Sequence, residues 1–79
     1  MELGWWNRDE NGKKFQVNVR LFGMQLQWTC QRERFQPWEQ YESPTEEDWD
    51  RAVQQAENRY QRRLMTKDAL ELVRKRGAP

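Results

Sequence analysis

Side chains that drive most enzyme chemistry are scarce in this sequence. Histidine is absent, which removes the commonest general base and the commonest neutral metal ligand together. Cys30 is the single cysteine, and it falls on the apolar phase of an alternating stretch, where a thiol serves as a small core hydrophobe. Ser43 is the one serine, and its place before Pro44 explains it as a helix cap. The carboxylates Glu46, Glu47, Asp48 and Asp50 crowd the first turns of a predicted helix, where the helix dipole favours them, and their spacing defines no inward-facing pair. Glycine-rich phosphate loops and paired-cysteine zinc spacings are absent. The sequence therefore predicts a protein that binds rather than catalyses, with no cofactor and no metal.

Recognition chemistry is better supplied, in three places. Trp6, Arg8, Lys14, Gln16, Asn18, Arg20, Gln25, Gln27, Thr29 and Gln31 fall on one face of a predicted sheet, amide-rich and acid-free. Arg, Asn and Gln make bidentate contacts to base edges and sheets can enter a DNA groove, so Trp6, Arg8, Arg20, Gln25 and Gln27 are candidate nucleic-acid contacts. The same amides could instead bond across strands and stiffen a solvated sheet. Phe35, Trp38 and Tyr41 lie in a connection, with Phe22 at a turn tip. Exposed together they would form a protein-binding patch, and buried they would be a lid over an open end of the core. Charge is also uneven: Glu39 to Asp50 holds acids only, whereas Arg59, Arg62, Arg63, Lys67, Arg74, Lys75 and Arg76 are offset only by Glu57, Asp68 and Glu71. Helix electrostatics account for this pattern. The functional alternative is a basic patch through Arg62, Arg63, Arg74 and Arg76 that meets an acidic partner or phosphates.

The elements that must position these residues follow from periodicity. Phe15, Val17, Val19 and Leu21 alternate with polar residues, as do Met24, Leu26, Trp28 and Cys30, so two half-buried strands are predicted. The apolar phase flips after Leu21. A two-residue turn at Phe22-Gly23 would accommodate this by pairing Leu21 with Met24, Val19 with Leu26, Val17 with Trp28 and Phe15 with Cys30; a bulged or longer turn is the alternative, since Phe is unusual at a first turn position. Upstream, Asp9 to Lys13 fits a three-residue hairpin loop closed by Gly12, which places a first strand over Leu3 to Arg8 with Trp5 inward and Trp6 outward. A two-residue Asn11-Gly12 turn would swap the two tryptophans. Arg32 to Tyr41 reads as an irregular connection.

Ser43-Pro44-Thr45-Glu46 reads as a helix start with Ser43 as cap and Glu46 completing a capping box. Trp49, Ala52, Val53, Ala56, Tyr60 and Leu64 form one stripe of a helix. Thr66 caps a second helix with Ala69, Leu70 and Val73 inward, ending at Gly77; one continuous helix is the competing reading.

Length and composition bound the rest. At 79 residues one domain is expected, spanning 1–79, with a sheet over about 3–31, a connection over 32–43 and a helical part over 44–76. Hydrophobic residues make up 35% and charged residues 34%, where about 45–50% apolar is usual, so the core must be thin. Five tryptophans partly compensate, and self-association is a common remedy in chains this short. A net charge of +1 gives no bulk signal for nucleic acid. A lone cysteine and the lack of any long apolar run point to the cytoplasm, with no membrane partner. The chain begins at Met1 and reads as a complete short gene product.

Three meandering strands followed by a helix across one face resemble, over about Trp5 to Leu64 and by element order, the plant AP2-type domain and the arm-binding domain of tyrosine recombinases. The resemblance implies a DNA-reading open sheet face, but no family motif maps onto individual residues here. The reading that results is an α+β domain (βββαα) acting as a non-enzymatic protein-interaction module that could self-associate as a homodimer. Phe22, Phe35, Trp38 and Tyr41 are its candidate contacts, and nucleic-acid binding is the alternative. Strand one is expected to be the more open edge.

Overall fold

The alternation of apolar and polar residues produces the strands it predicts. In the computed structural model, which describes residues 1–77, β1 (Glu2–Arg8), β2 (Lys14–Phe22), β3 (Gln25–Gln31) and β4 (Glu39–Gln40) precede α1 (Glu46–Gln61) and α2 (Lys67–Arg74). The architecture is α+β, an antiparallel sheet in the order β1-β2-β3-β4 with two helices after it. A fourth, two-residue strand is the addition to the expected meander.

The first hairpin has the expected three-residue loop. Asp9 N–H donates to Lys13 O (3.0 Å) and Gly12 N–H to Asp9 O (2.9 Å), and Gly12 takes φ +77°, a value that glycine adopts without a Cβ clash. Leu3 therefore faces Val19 and Trp5 faces Val17. Trp5 points into the core and Trp6 out of it, 59% exposed.

The second hairpin departs from expectation by one pair. Leu21 faces Leu26, Val19 faces Trp28 and Val17 faces Cys30, and the turn lies at Gly23-Met24 rather than Phe22-Gly23. Both registers keep the apolar residues on one face, so side-chain phase does not separate them. Backbone geometry does: the first central position takes φ +57°, and Gly23 fills it where the expected turn would have required phenylalanine. Met24 is consequently expelled to the turn tip, 70% exposed. Phe15 loses Cys30 as its partner and instead lies under the Arg32 guanidinium, 4.9 Å from ring centroid to Cζ.

The connection is less irregular than its sequence suggests. Phe35 at φ +68° reverses the chain, Gln36 N–H closes the turn on Glu33 O at 3.2 Å, and Gln31 Nε2 pins Gln36 O at 2.8 Å. The returning segment pairs Gln40 with Thr29 and Glu39 with Cys30, so β3 is not a sheet edge. At the other side of the sheet, α1 reaches over β1: Gln55 Oε1 accepts from Gly4 N–H (3.2 Å), Gln55 Nε2 donates to Gly4 O (2.8 Å), and Arg51 donates to Trp6 O (2.8 Å). The expected open edge is thus occupied by side chains of the protein's own helix, a known means of blunting strand edges.

Helix α1 starts two residues later than expected. Thr45, not Ser43, is the cap: its Oγ1 accepts from Asp48 N–H (3.1 Å) while Asp48 Oδ2 accepts from Thr45 N–H (3.0 Å), so Asp48 rather than Glu46 completes the capping box. Ala52 and Ala56 are fully buried and let the helix approach the sheet, with Trp49 and Val53 packed beside them. Tyr60, in the last turn of α1, is exposed, and so is Leu64, because α1 ends at Gln61 and Arg63 turns the chain at φ +61° before it. Thr66 caps a separate α2 by accepting from Ala69 N–H (3.2 Å), which settles the two-helix alternative. Leu70, Val73 and Met65 join Leu3, Phe15, Val17, Val19, Leu21, Trp28 and Cys30 in one core. At its centre Trp28 meets Trp49 (4.8 Å), Trp5 (5.7 Å) and Tyr41 (6.1 Å) between ring centroids.

Candidate functional site

Expelling Met24 and Leu64 from the core has a joint effect, because both land at the same end of the molecule. The β2–β3 turn and the α1–α2 connection face each other across an open groove of about 480 Å³, floored by Leu21, Met65 and Leu72 and walled by Phe22, Met24 and Leu64. Met1 adds a fourth exposed apolar side chain at the rim. Arg63 and Asp68 supply one charge of each sign beside it. Large apolar side chains gathered on one concavity are what partner-binding surfaces present, and methionine adapts to several shapes of partner.

A second surface is the sheet face opposite the helices. Trp6 lies across from Gln16, and Gln16 from Gln31. Trp38, one residue before β4, joins this face: with Asn18, Arg20, Gln27, Thr29 and Glu2 it lines a shallow depression of about 400 Å³. The face is therefore not acid-free as expected, because Glu2 sits opposite Arg20 and accepts from Asn18 Nδ2 at 3.4 Å. Arg8, Lys14 and Arg20 still outnumber it.

The aromatic cluster expected in the connection is not one surface. Trp38 is 44% exposed on the sheet face, Phe35 stands alone in its loop at 94%, and Phe22 is at the opposite end of the sheet beside the groove. Tyr41 is packed against the core, its ring 6.0 Å from Phe15. The basic residues divide as well. Arg74 pairs with Glu57 (3.5 Å) and Glu71 (3.1 Å). Arg76 grips Glu46 with both guanidinium nitrogens and lies over the Trp49 ring. Arg62 and Arg63 stay exposed in the α1–α2 connection. Of these four, Arg74 is in α2, Arg62 and Arg63 are in the connection before it and Arg76 follows it, whereas Arg8 and Arg20 are on the sheet.

The sequence reading passed over Asp48, the one fully buried charged residue among those described. Its Oδ1 accepts from Asn7 Nδ2 (2.8 Å) and Trp5 Nε1 (3.2 Å), and its Oδ2 from Tyr41 OH (2.5 Å) and Thr45 N–H (3.0 Å). Burial pulls the carboxyl's pKa upward, but these donors outweigh it and hold the group below its ordinary range. Burial and the Asp48 contact together push the Tyr41 phenol upward. Four donors on one acidic side chain tie β1, the connection and α1 together, which is a structural clasp and not a reactive site. The sign of its pH dependence is fixed. A carboxyl whose folded pKa is depressed contributes stability that is complete above the ordinary value of 3.8 and is lost as pH falls through the folded pKa. Tyr41, shifted the other way, contributes below 10.0 and loses that contribution as pH rises through its folded pKa. Urea midpoints are expected to be flat from pH 6 to 8 and to drop below about pH 4, and an Asp48→Asn variant to lose most of that acid-side drop.

Among the described residues, no three Cys, Asp or Glu side chains gather as a metal ligand set, and no helix is long and apolar enough to cross a membrane. The Cys30 thiol is free and buried, with its pKa pushed up by that burial, the opposite of what a nucleophile needs. The chain matches no family model, and no curated protein or solved structure is significantly similar to it. The likeness of element order to AP2-type and arm-binding domains is joined by no such match.

Proposed function

We propose that this protein is a small non-enzymatic interaction module that docks a protein surface in the groove between the β2–β3 turn and the α1–α2 connection. The observation that supports it is the convergence of Phe22, Met24 and Leu64, from separate elements, on one open apolar concavity. Of the aromatics marked in the sequence for protein binding, Phe22 is the one that lines it. Another copy of the chain is the first partner to test. The groove carries both Arg63 and Asp68, and a two-fold interface sets a patch against itself, so each charge can meet its opposite across the axis. The reading takes the cytoplasm as its setting, in keeping with a lone cysteine kept as a buried thiol.

Sedimentation equilibrium from about 5 to 500 µM, the range in which modest interfaces assemble, is expected to give a mass that rises with concentration. A Met24→Asp, Leu64→Asp double variant is expected to remain monomeric, with a melting curve that matches the wild type's at the dilute end of the range, since both side chains are exposed. A wild-type chain that is monomeric throughout and binds no member of a displayed library of amphipathic helices overturns the reading.

A second reading, nucleic-acid binding by the outer sheet face, is favoured by one specific observation. Trp38 lands on the same face as Trp6, Arg20 and Gln27. Arg74 and Arg76 are engaged by acids and lie on the helical side, so this reading rests on the sheet alone.

A further inference from the structure

We propose that the outer sheet face binds single-stranded nucleic acid, with bases stacked on Trp6 and Trp38 and phosphates on Arg8, Lys14 and Arg20. The inference deepens the second reading above and is independent of the groove.

Two exposed indoles stand at opposite margins of this face. Trp6 is on β1 and Trp38 leads into β4, and these outermost strands are three strand spacings apart, about 14 Å. Between them lie Gln16, Asn18, Gln27, Thr29 and Gln31, whose amides and hydroxyl both donate and accept and so suit base edges of any identity. Arg8 and Lys14 are paired across β1 and β2 at one end of the face, and Arg20 lies at the other, 5.7 Å from the Phe22 ring. Glu47 also borders Trp6, Arg8 and Lys14 but is paired with Arg51 at 2.9 Å, so three cations against Glu2 leave the platform positive where a phosphate chain would run.

Width selects the kind of nucleic acid. The major groove of a duplex, about 12 Å across, admits a helix or a two-stranded ribbon. Four strands flanked by indoles are wider than that, and the minor groove is narrower still. An unpaired strand has no such limit: it lies along a sheet, and its freed bases stack on aromatic side chains. The fourth strand, which places Trp38, is what turns this face from a blade into a platform.

The test is fluorescence anisotropy of labelled 12-mers of oligo-dT and oligo-rU, and of a duplex of equal length, titrated with the protein from about 50 to 300 mM salt, the range in which phosphate contacts weaken. Both single strands are expected to bind more tightly than the duplex, with a slope of log K against log salt near −2, as about three phosphate contacts to a single strand require. Trp6→Ala and Trp38→Ala are each expected to weaken binding roughly 5- to 150-fold. Glu2→Gln is expected to strengthen it, a gain that no folding defect can imitate. Met24→Asp with Leu64→Asp is expected to leave it unchanged, so failure here and failure of the groove reading are separable. Absence of binding at the lowest salt, preference for the duplex, or binding lost with Arg62 and Arg63 while indifferent to Trp6 and Trp38 would each overturn the proposal.

Discussion

Replacing Asp48 with alanine is expected to cost about 3–5 kcal/mol, the scale seen when one partner of a buried charged network is removed. A chain of 79 residues has a total stability of about 4–12 kcal/mol at typical values per residue, so this one change brings the protein to the edge of unfolding. Alanine removes the shared acceptor of the Trp5 indole, the Asn7 amide, the Tyr41 hydroxyl and the Thr45 N–H. Donors that are left buried without a partner cost more than a neutral contact ever contributed. Asparagine keeps the shape and one acceptor oxygen, and turns an amide N–H₂ toward part of the donor set, so about half of the loss is expected. Urea titration at pH 7 measures both. A loss below about 1 kcal/mol for alanine, the worth of a single ordinary hydrogen bond, would show that the carboxylate does not tie the three segments together.

Trp28→Ala is expected to cost a similar amount, about 3–5 kcal/mol, as large aromatic truncations in cores do. Trp28 is 8% exposed and sits where Trp5, Trp49 and Tyr41 meet, so its removal opens a cavity that touches the sheet, the connection and α1 at once. Its indole N–H is buried and, among the described residues, has no hydrogen-bond partner. Phenylalanine at this position loses ring volume but also deletes that unsatisfied donor. The Trp28→Phe variant is therefore expected to be more stable than the alanine variant by at least about 2 kcal/mol. Thermal melts followed by near-ultraviolet circular dichroism, which reports the tryptophan cluster directly, distinguish the two. Equal losses for the two substitutions would mean that the ring's edge contacts do not set the energy.

The strands were legible because a period of two leaves a strong trace over seven to nine residues, whereas the first hairpin was legible as one of two turns, of which the structure takes the three-residue loop closed by Gly12 at φ +77°. The second hairpin was legible in kind and not in register, since sliding it by one pair keeps every apolar residue on the same face. Only the positive φ at Gly23 chooses. Strand β4 has two residues, too few to alternate, and with it went the position of Trp38. Asp48 was hidden for a different reason. An acid three residues after Thr45 looks like any helix-dipole residue, and two of its side-chain partners, Trp5 and Asn7, lie 43 and 41 residues away. Its four-residue step to Ala52 and Ala56 was the available signal, readable only once a carboxylate is allowed on an inward face.

The hydrogen bonds from Gln55 and Arg51 to the β1 backbone have a bearing on how this protein fails. They make α1 both the roof of the core and the guard of the sheet's margin, so the two protections are lost together. Any partial opening that lifts α1 uncovers, in one event, a row of bare peptide groups and the apolar surface of Leu3 and Val17 beneath. A nascent chain on a ribosome passes through that state, because the whole sheet is synthesised before the first turn of α1 exists. Until the 21 residues from Tyr41 to Gln61 have followed, the sheet is open to pairing with its neighbours, a hazard that rapid delivery of the helix shortens.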